Sequence, residues 1–199
     1  MTASAVLTEM APGQVVQTDL TLEEFLALEP DTYEPPYLEY EGEGLVRRKM
    51  SPNPQHSELQ PYLAHLLLSF GARSGQRLHV YTELRTTAGG RSRLPDVAVY
   101  VDRRPRESQR REALDVADVS IEILSPDDSR LQLRAKCRWY LEHGSRAALL
   151  LDPAAEIAEY FGRAGASDTY AGTRVLPLDD ILLGLDLTPQ AIFAILHQP

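Results

Sequence analysis

Val119-Ser120-Ile121-Glu122-Ile123-Leu124, followed directly by Ser125-Pro126-Asp127-Asp128, is the stretch on which the fold turns. Its first six residues form a short run rich in β-branched side chains, the composition of a strand in the middle of a sheet. Period-two alternation puts Ile121 and Ile123 on one face and Glu122 on the other, flanked by Ser120 and Leu124. On a solvated sheet face a carboxylate needs nothing further; in a central strand it needs a partner charge or a metal ion. Ser125-Pro126-Asp127-Asp128 then opens a helix that runs to Gly144, a suitable C-cap. Over residues 129–143, Leu133, Cys137, Tyr140 and Leu141 form the apolar stripe, with Lys136 at its edge. A lysine there either snorkels to water or meets an acid. The short turn swings the helix back over the strand, so the acid within reach is Glu122. Lys49 and Lys136 are the only lysines in the chain.

Working outward, Asp96 begins the apolar run 96–101 directly after Pro95. Glu83 lies inside the alternating run 78–85, where the polar face of a half-buried sheet accounts for it equally well. Thr21-Leu-Glu-Glu24 is a capping box in front of a short helix, closed by Pro30, Pro35 and Pro36. Ser57-Glu-Leu-Gln60 reads as a second box, ahead of Tyr62, Leu63, Leu66, Leu67 and Phe70 at helical spacing. Residues 45–50 form a strand, Gly89-Gly90 a turn, and 147–152 and 157–161 a hairpin through Asp152-Pro153. Thr188-Pro189 starts a last helix. This order predicts an α/β (α+β mixed) fold, a mixed β-sheet flanked by α-helices. Residues 1–18 lack periodicity and read as a loose arm, leaving 19–199 as one domain.

The net charge of −9 argues at first against a partner that is itself polyanionic. Its distribution reverses that. Residues 1–46 hold ten acids and no Lys or Arg; residues 47–151 hold 18 bases against 12 acids; residues 152–199 hold two bases against seven acids. A basic body is therefore flanked by acidic ends. Arg47, Arg48 and Lys49 flank the Ser51-Pro52 turn, and Arg103, Arg104, Arg106, Arg110 and Arg111 follow the Asp96 strand. They form either a solvated face or a nucleic-acid surface. The single Cys137 excludes an internal disulfide and suits a reducing cytoplasm. No stretch approaches the roughly 20 apolar residues of a membrane span, and no secretory leader is visible.

Two carboxylates on neighbouring strands can hold a hard cation such as Mg²⁺, with Mn²⁺ as a substitute, through oxygen ligands and waters. A nearby lysine can orient a water and offset the charge of a phosphodiester transition state. Asp96, Glu122 and Lys136 form one coherent hydrolytic site of that kind. With these residues in place, the chain resembles the Uma family, within the PD-(D/E)XK restriction-endonuclease-like superfamily. The resemblance runs over residues 20–196: Leu-Thr-Leu-Glu-Glu-Phe-Leu at 20–26, Lys-Met-Ser-Pro-Asn-Pro-Gln-His-Ser at 49–57 and Thr-Glu at 82–83. It continues with Leu-Pro-Asp-Val-Ala-Val at 94–99, Ile-Glu-Ile-Leu-Ser-Pro-Asp-Asp at 121–128 and Arg-Ala-Lys-Cys-Arg-Trp-Tyr-Leu at 134–141.

The resemblance implies a restriction-endonuclease-like central mixed sheet and a divalent-metal nuclease site acting on DNA. Its metal ligands fall on Asp96, Glu122, Ile123 and Glu83, and His56 matches a further recurrent position. One departure stands out. The superfamily places a lysine two residues after the second acid, where this chain has Leu124, and the lysine moves to the following helix as Lys136. Near the N-terminus the family has an acid ahead of a Gly; Glu39, Glu41 and Glu43 compete for that register and receive no role. Leu124 leaves open a second reading, a catalytically inactive module that binds nucleic acid or a protein. A glycosidase using paired acids is a third, needing neither metal nor Lys136. Cutting both strands of a duplex with one site per chain would take a homodimer.

Overall fold

The run around Glu122 is a strand, and it lies inside a six-stranded mixed sheet. The computed structural model describes residues 7, 9–28, 37–50, 52–107, 113–165 and 167–198. In chain order the elements are β1 (Val15–Gln17), α1 (Leu22–Ala27), β2 (Leu38–Gly42), β3 (Leu45–Arg48) and α2 (Pro54–Ser74). Then come β4 (Leu78–Thr82), β5 (Thr86–Ala88), β6 (Arg91–Arg93), β7 (Val97–Val101), β8 (Val119–Ile123) and α3 (Arg130–Glu142). β9 (Ala147–Asp152), β10 (Ile157–Gly162), β11 (Ser167–Ala171) and α4 (Pro189–Phe193) complete the set.

The larger sheet runs β11-β10-β9-β8-β7-β4. Only β8 and β9 pair in parallel, and α3 is the crossover that parallel neighbours require. Alternation divides β8 as expected. Ile121 and Ile123 join Leu149 and Leu151 of β9 and Val97 and Val99 of β7 in the main core, under Leu59, Leu63 and Leu67 of α2. Glu122 faces the other way, toward α3, where Cys137 packs on Ala148 and Leu150. The mixed sheet between helices is thus the architecture found.

A second sheet, wholly antiparallel, runs β1-β3-β2-β6-β5. Its strands are three to five residues long, too short for a clear alternation signal. β1 falls within the arm expected to be loose. Val15–Gln17 pairs with β3, and Leu7 and Met10 pack with Phe25, Tyr40 and Val46, so the described part of 1–18 is ordered structure. The tight β2–β3 turn uses Glu43 at φ 51° and Gly44 at φ 77°, the signs a two-residue hairpin requires. A Cβ on Gly44 would lie 2.1 Å from the Thr18 carbonyl oxygen, so glycine is demanded there.

Caps differ from the sequence reading in two places. Thr21 caps α1 with its reciprocal Glu24, as expected. For α2 the cap is Asn53, whose side chain accepts the His56 N–H at 2.8 Å, with Pro54 at the first position; Ser57 is already inside the helix. Proline's fixed φ starts a helix where its missing N–H costs nothing. For α3 the cap is Ser129, because Ser125 and Asp128 close their own turn, Ser125 N–H donating to Asp128 Oδ2 at 2.8 Å. Pro30, Pro35, Pro36, Arg110 and Arg111 lie outside the described residues.

Candidate active site

Asp96 precedes β7 by one residue, and Glu122 is the fourth residue of β8. The antiparallel ladder pairs Val97 with Ile121, so one step further on Asp96 stands across from Glu122 on the same face. Both are nearly inaccessible, at 2% and 1% exposure. Like charges directly opposite on a sheet repel, and burial removes the water that would screen them. The pair therefore needs cations, and each acid has one.

Lys136, 4% exposed, reaches in from α3. Its ammonium donates to Glu122 Oε2 at 3.0 Å and to the Leu94 carbonyl at 2.9 Å, and lies 2.6 Å from Glu39 Oε1. Tyr140, one turn further along α3, donates its O–H to Glu122 Oε1 at 2.7 Å. Lys49 comes from just after β3, in the other sheet. It donates to Asp96 Oδ1 at 2.7 Å, to Glu83 at 2.8 and 3.1 Å, and to the same Leu94 carbonyl at 3.1 Å. The Leu94 N–H in turn donates to Glu39 Oε1 at 2.7 Å. One backbone unit thus ties both ammonium groups and a third acid together.

Asp96 Oδ2 accepts the Ile123 N–H at 2.6 Å and lies 3.3 Å from His56 Nε2. Gln60, freed from the capping role assigned to it, donates to the Asp96 carbonyl at 2.8 Å and to Glu83 Oε1 at 3.2 Å. Glu83 is not inside β4. It follows the strand at φ 52°, a left-handed conformation that few residues other than glycine adopt. Leaving the strand there breaks the alternation that would have solvated its side chain. Strained backbone of this kind concentrates at functional sites.

The electrostatics follow from burial against pairing. Burial pushes the Glu122 carboxyl up, to about 7, even with Lys136 opposing it. Burial acts the same way on Asp96, but Lys49 and His56 outweigh it and hold the group well below the usual carboxylate range. Glu83 is raised by burial beyond what Lys49 offsets. Burial disfavours both ammonium groups, yet the surrounding carboxylates raise Lys49 well above its ordinary value and Lys136 above its own. Both stay cationic at neutral pH. Burial also disfavours a charged His56, but Asp96 outweighs it and raises the group. With His56 protonated and all four acids ionised, Glu39, Glu83, Asp96 and Glu122 exceed the three cations by one negative charge, which a proton on Glu122 removes.

His56, Asp96, Glu122, Ile123 and Lys136 line one cleft, together with Glu39 and Lys49. Glu83 connects to it through Lys49. Three contributors were not legible as such: Lys49, read as one base of a surface cluster, Glu39, left without a role, and Tyr140, read mainly as packing. The rarity of lysine was the usable signal for Lys49. Arg47, Arg48 and Arg93 also line the cleft, Arg47 and Arg93 both paired with Glu41 at its wall; Arg103 lies away from it and pairs with Asp115 at 2.6 Å. Among the described residues no three His, Cys, Asp or Glu side chains form a ready-made metal cage.

The site therefore sits on a mixed sheet between helices, with Glu122 on β8, Asp96 one residue ahead of the neighbouring β7, and Lys136 reaching Glu122 from the crossover helix α3. The family model described as "Uma2: Putative restriction endonuclease" matches residues 22–195. The chain belongs to the Uma2 family. It is also similar to a crystal structure from Anabaena variabilis, titled a "putative nuclease belonging to DUF820", with 26% identity and a TM-score of 0.76. That similarity covers 89% of this chain and 99% of the other. No functionally curated protein matches.

Proposed function

We propose that this chain is a divalent-cation-dependent endonuclease that hydrolyses phosphodiester bonds of DNA. The observation that carries the reading is the facing pair Asp96 and Glu122, buried at a cleft, with Lys49 and His56 on one and Lys136 on the other. The donor set fits Mg²⁺, which is bound by one or two carboxylates plus waters and substrate phosphate oxygens and not by an all-protein cage. Asp96, Glu122 and the Ile123 carbonyl would hold it, and Mn²⁺ would substitute. When bound, such a cation polarises the phosphodiester and acidifies a water.

The chain's own groups supply the rest. Lys136 stays protonated, so it acts as a fixed positive charge beside the reacting phosphate and not as a proton acceptor. Tyr140 and Glu39 hold Glu122 and Lys136 in place. His56, bonded to Asp96, fixes that carboxylate's orientation from the start of α2. Arg47 and Arg48 bring positive charge to the cleft for neighbouring phosphates. Leu124 does not disarm the site, because Lys136 reaches Glu122 from α3. Two buried ammonium groups on the acids also speak against paired-acid glycoside chemistry. A homodimer would cut both strands of a duplex. No helix among the described residues is long and apolar enough to cross a membrane, and the buried free Cys137 suits a cytoplasmic setting.

The test is conversion of supercoiled plasmid to nicked and linear forms with Mg²⁺ or Mn²⁺. Wild type cuts, and Asp96→Ala does not. Equal cutting by both proteins refutes the assignment.

A further inference from the structure

Lys49 occupies a position that the nuclease reading leaves unexplained. Its ammonium meets four oxygens, two of Glu83, one of Asp96 and the Leu94 carbonyl, all between 2.7 and 3.1 Å. Its side chain is only 15% exposed. A shell of two carboxylates and a carbonyl is what a hard divalent cation recruits. Asp96 is shared. Its Oδ1 goes to Lys49, while its Oδ2 points to Ile123 and His56. In two-metal phosphodiesterases the ions sit about 3.5–4 Å apart, and a carboxylate with one oxygen on each is the natural bridge.

We propose that Lys49 is a built-in second cation: its ammonium fills the Glu83–Asp96 position that a second divalent ion would otherwise take, so the site binds one metal ion per chain. This rests on the metal-dependent reading above. It also reassigns Glu83, which anchors Lys49 and does not ligate the metal. A lysine delivered from the small sheet is covalently retained, so this half of the charge compensation is present at any metal concentration. Removing it leaves Glu83, Asp96 and the Leu94 carbonyl as an open oxygen site with uncompensated charge.

The experiment is calorimetric titration of Mn²⁺ into metal-free wild type, Lys49→Gln and Glu83→Gln, without substrate, with circular dichroism as the folding check. Wild type is expected to bind one ion per chain, and Lys49→Gln two. Glu83→Gln is expected to keep one ion with affinity within about threefold of wild type. Two ions in wild type, equal counts in wild type and Lys49→Gln, or loss of binding in Glu83→Gln each overturn the Lys49 assignment while leaving a metal site in place. If Lys49→Gln does not fold, the wild-type count and Glu83→Gln still decide. No binding by wild type at all brings down the metal reading itself, and this assignment with it.

Discussion

Replacing Lys136 with Met tests whether the site's charges are truly buried and coupled. The substitution keeps an unbranched side chain that reaches almost as far and removes an ammonium that meets Glu122, Glu39 and the Leu94 carbonyl within 2.6–3.0 Å. What remains is Glu39 and Glu122, two buried carboxylates without their common partner. Breaking a buried pair by deleting one member costs about 3–5 kcal/mol, since the orphaned charge stays behind. For a chain of this size that lowers Tm by roughly 10 °C. The sign with pH is fixed by the raised pKa of Lys136. A base held above its unfolded value contributes fully below that value and loses its contribution only as pH rises through the folded one. At pH 8 the whole cost is therefore visible. It shrinks toward pH 5, where Glu39 and Glu122 can take up protons in the variant. The assay is urea unfolding of both proteins in chelator at pH 8 and pH 5. A loss below about 1 kcal/mol at pH 8, the size of a solvent-screened pair, would refute the reasoning.

Two further outcomes follow from the same geometry. Tyr140→Phe removes the hydroxyl that donates to Glu122 at 2.7 Å and costs about 1–3 kcal/mol, because a buried carboxylate oxygen loses its donor; the urea midpoint falls with m unchanged. Glu122 is held at about 7 by burial, so in metal-free protein it binds a proton on folding and its own contribution to stability declines as pH rises from its unfolded value near 4.5 to about 7. Glu122→Gln removes Glu122's share of the pH dependence, while the share of Glu83, also raised by burial, remains; an identical pH profile in the variant contradicts the assignment.

Asp96, Glu122 and Lys136 were legible in the sequence for one physical reason. Asp96 and Glu122 are acids at or within short apolar, β-branched runs, and Lys136 borders the apolar stripe of its helix, places where a charge is costly unless paired. β8 and α3 are adjacent in sequence, so their meeting followed from the length of the turn between them. Lys49 has no such local signature. Its partners lie 34 and 47 residues away, and only the docking of the small sheet brings them together. Glu39 was hidden by a register ambiguity among three acids alternating with glycine, and the structure shows why: the β2–β3 ladder shifts between Tyr40 and Gly42. A one-residue slip moves every side chain to the other face, so counting from the glycine could not place the acid. Of the second sheet only β3 is legible as a strand, because β1, β5 and β6 have three residues each, too few to show a period.

The pairing of β7 with β8 has one more consequence. These strands adjoin in the sheet, yet residues 102–118 separate them along the chain. A break in the backbone between residues 107 and 113 would leave Asp96 with Lys49 on one fragment and Glu122 with Lys136 on the other. Each fragment would carry one acid of the pair and one ammonium, and neither would carry both acids. The molecule is thus laid out like a two-key lock, in which the facing carboxylates exist only while the halves are zipped together.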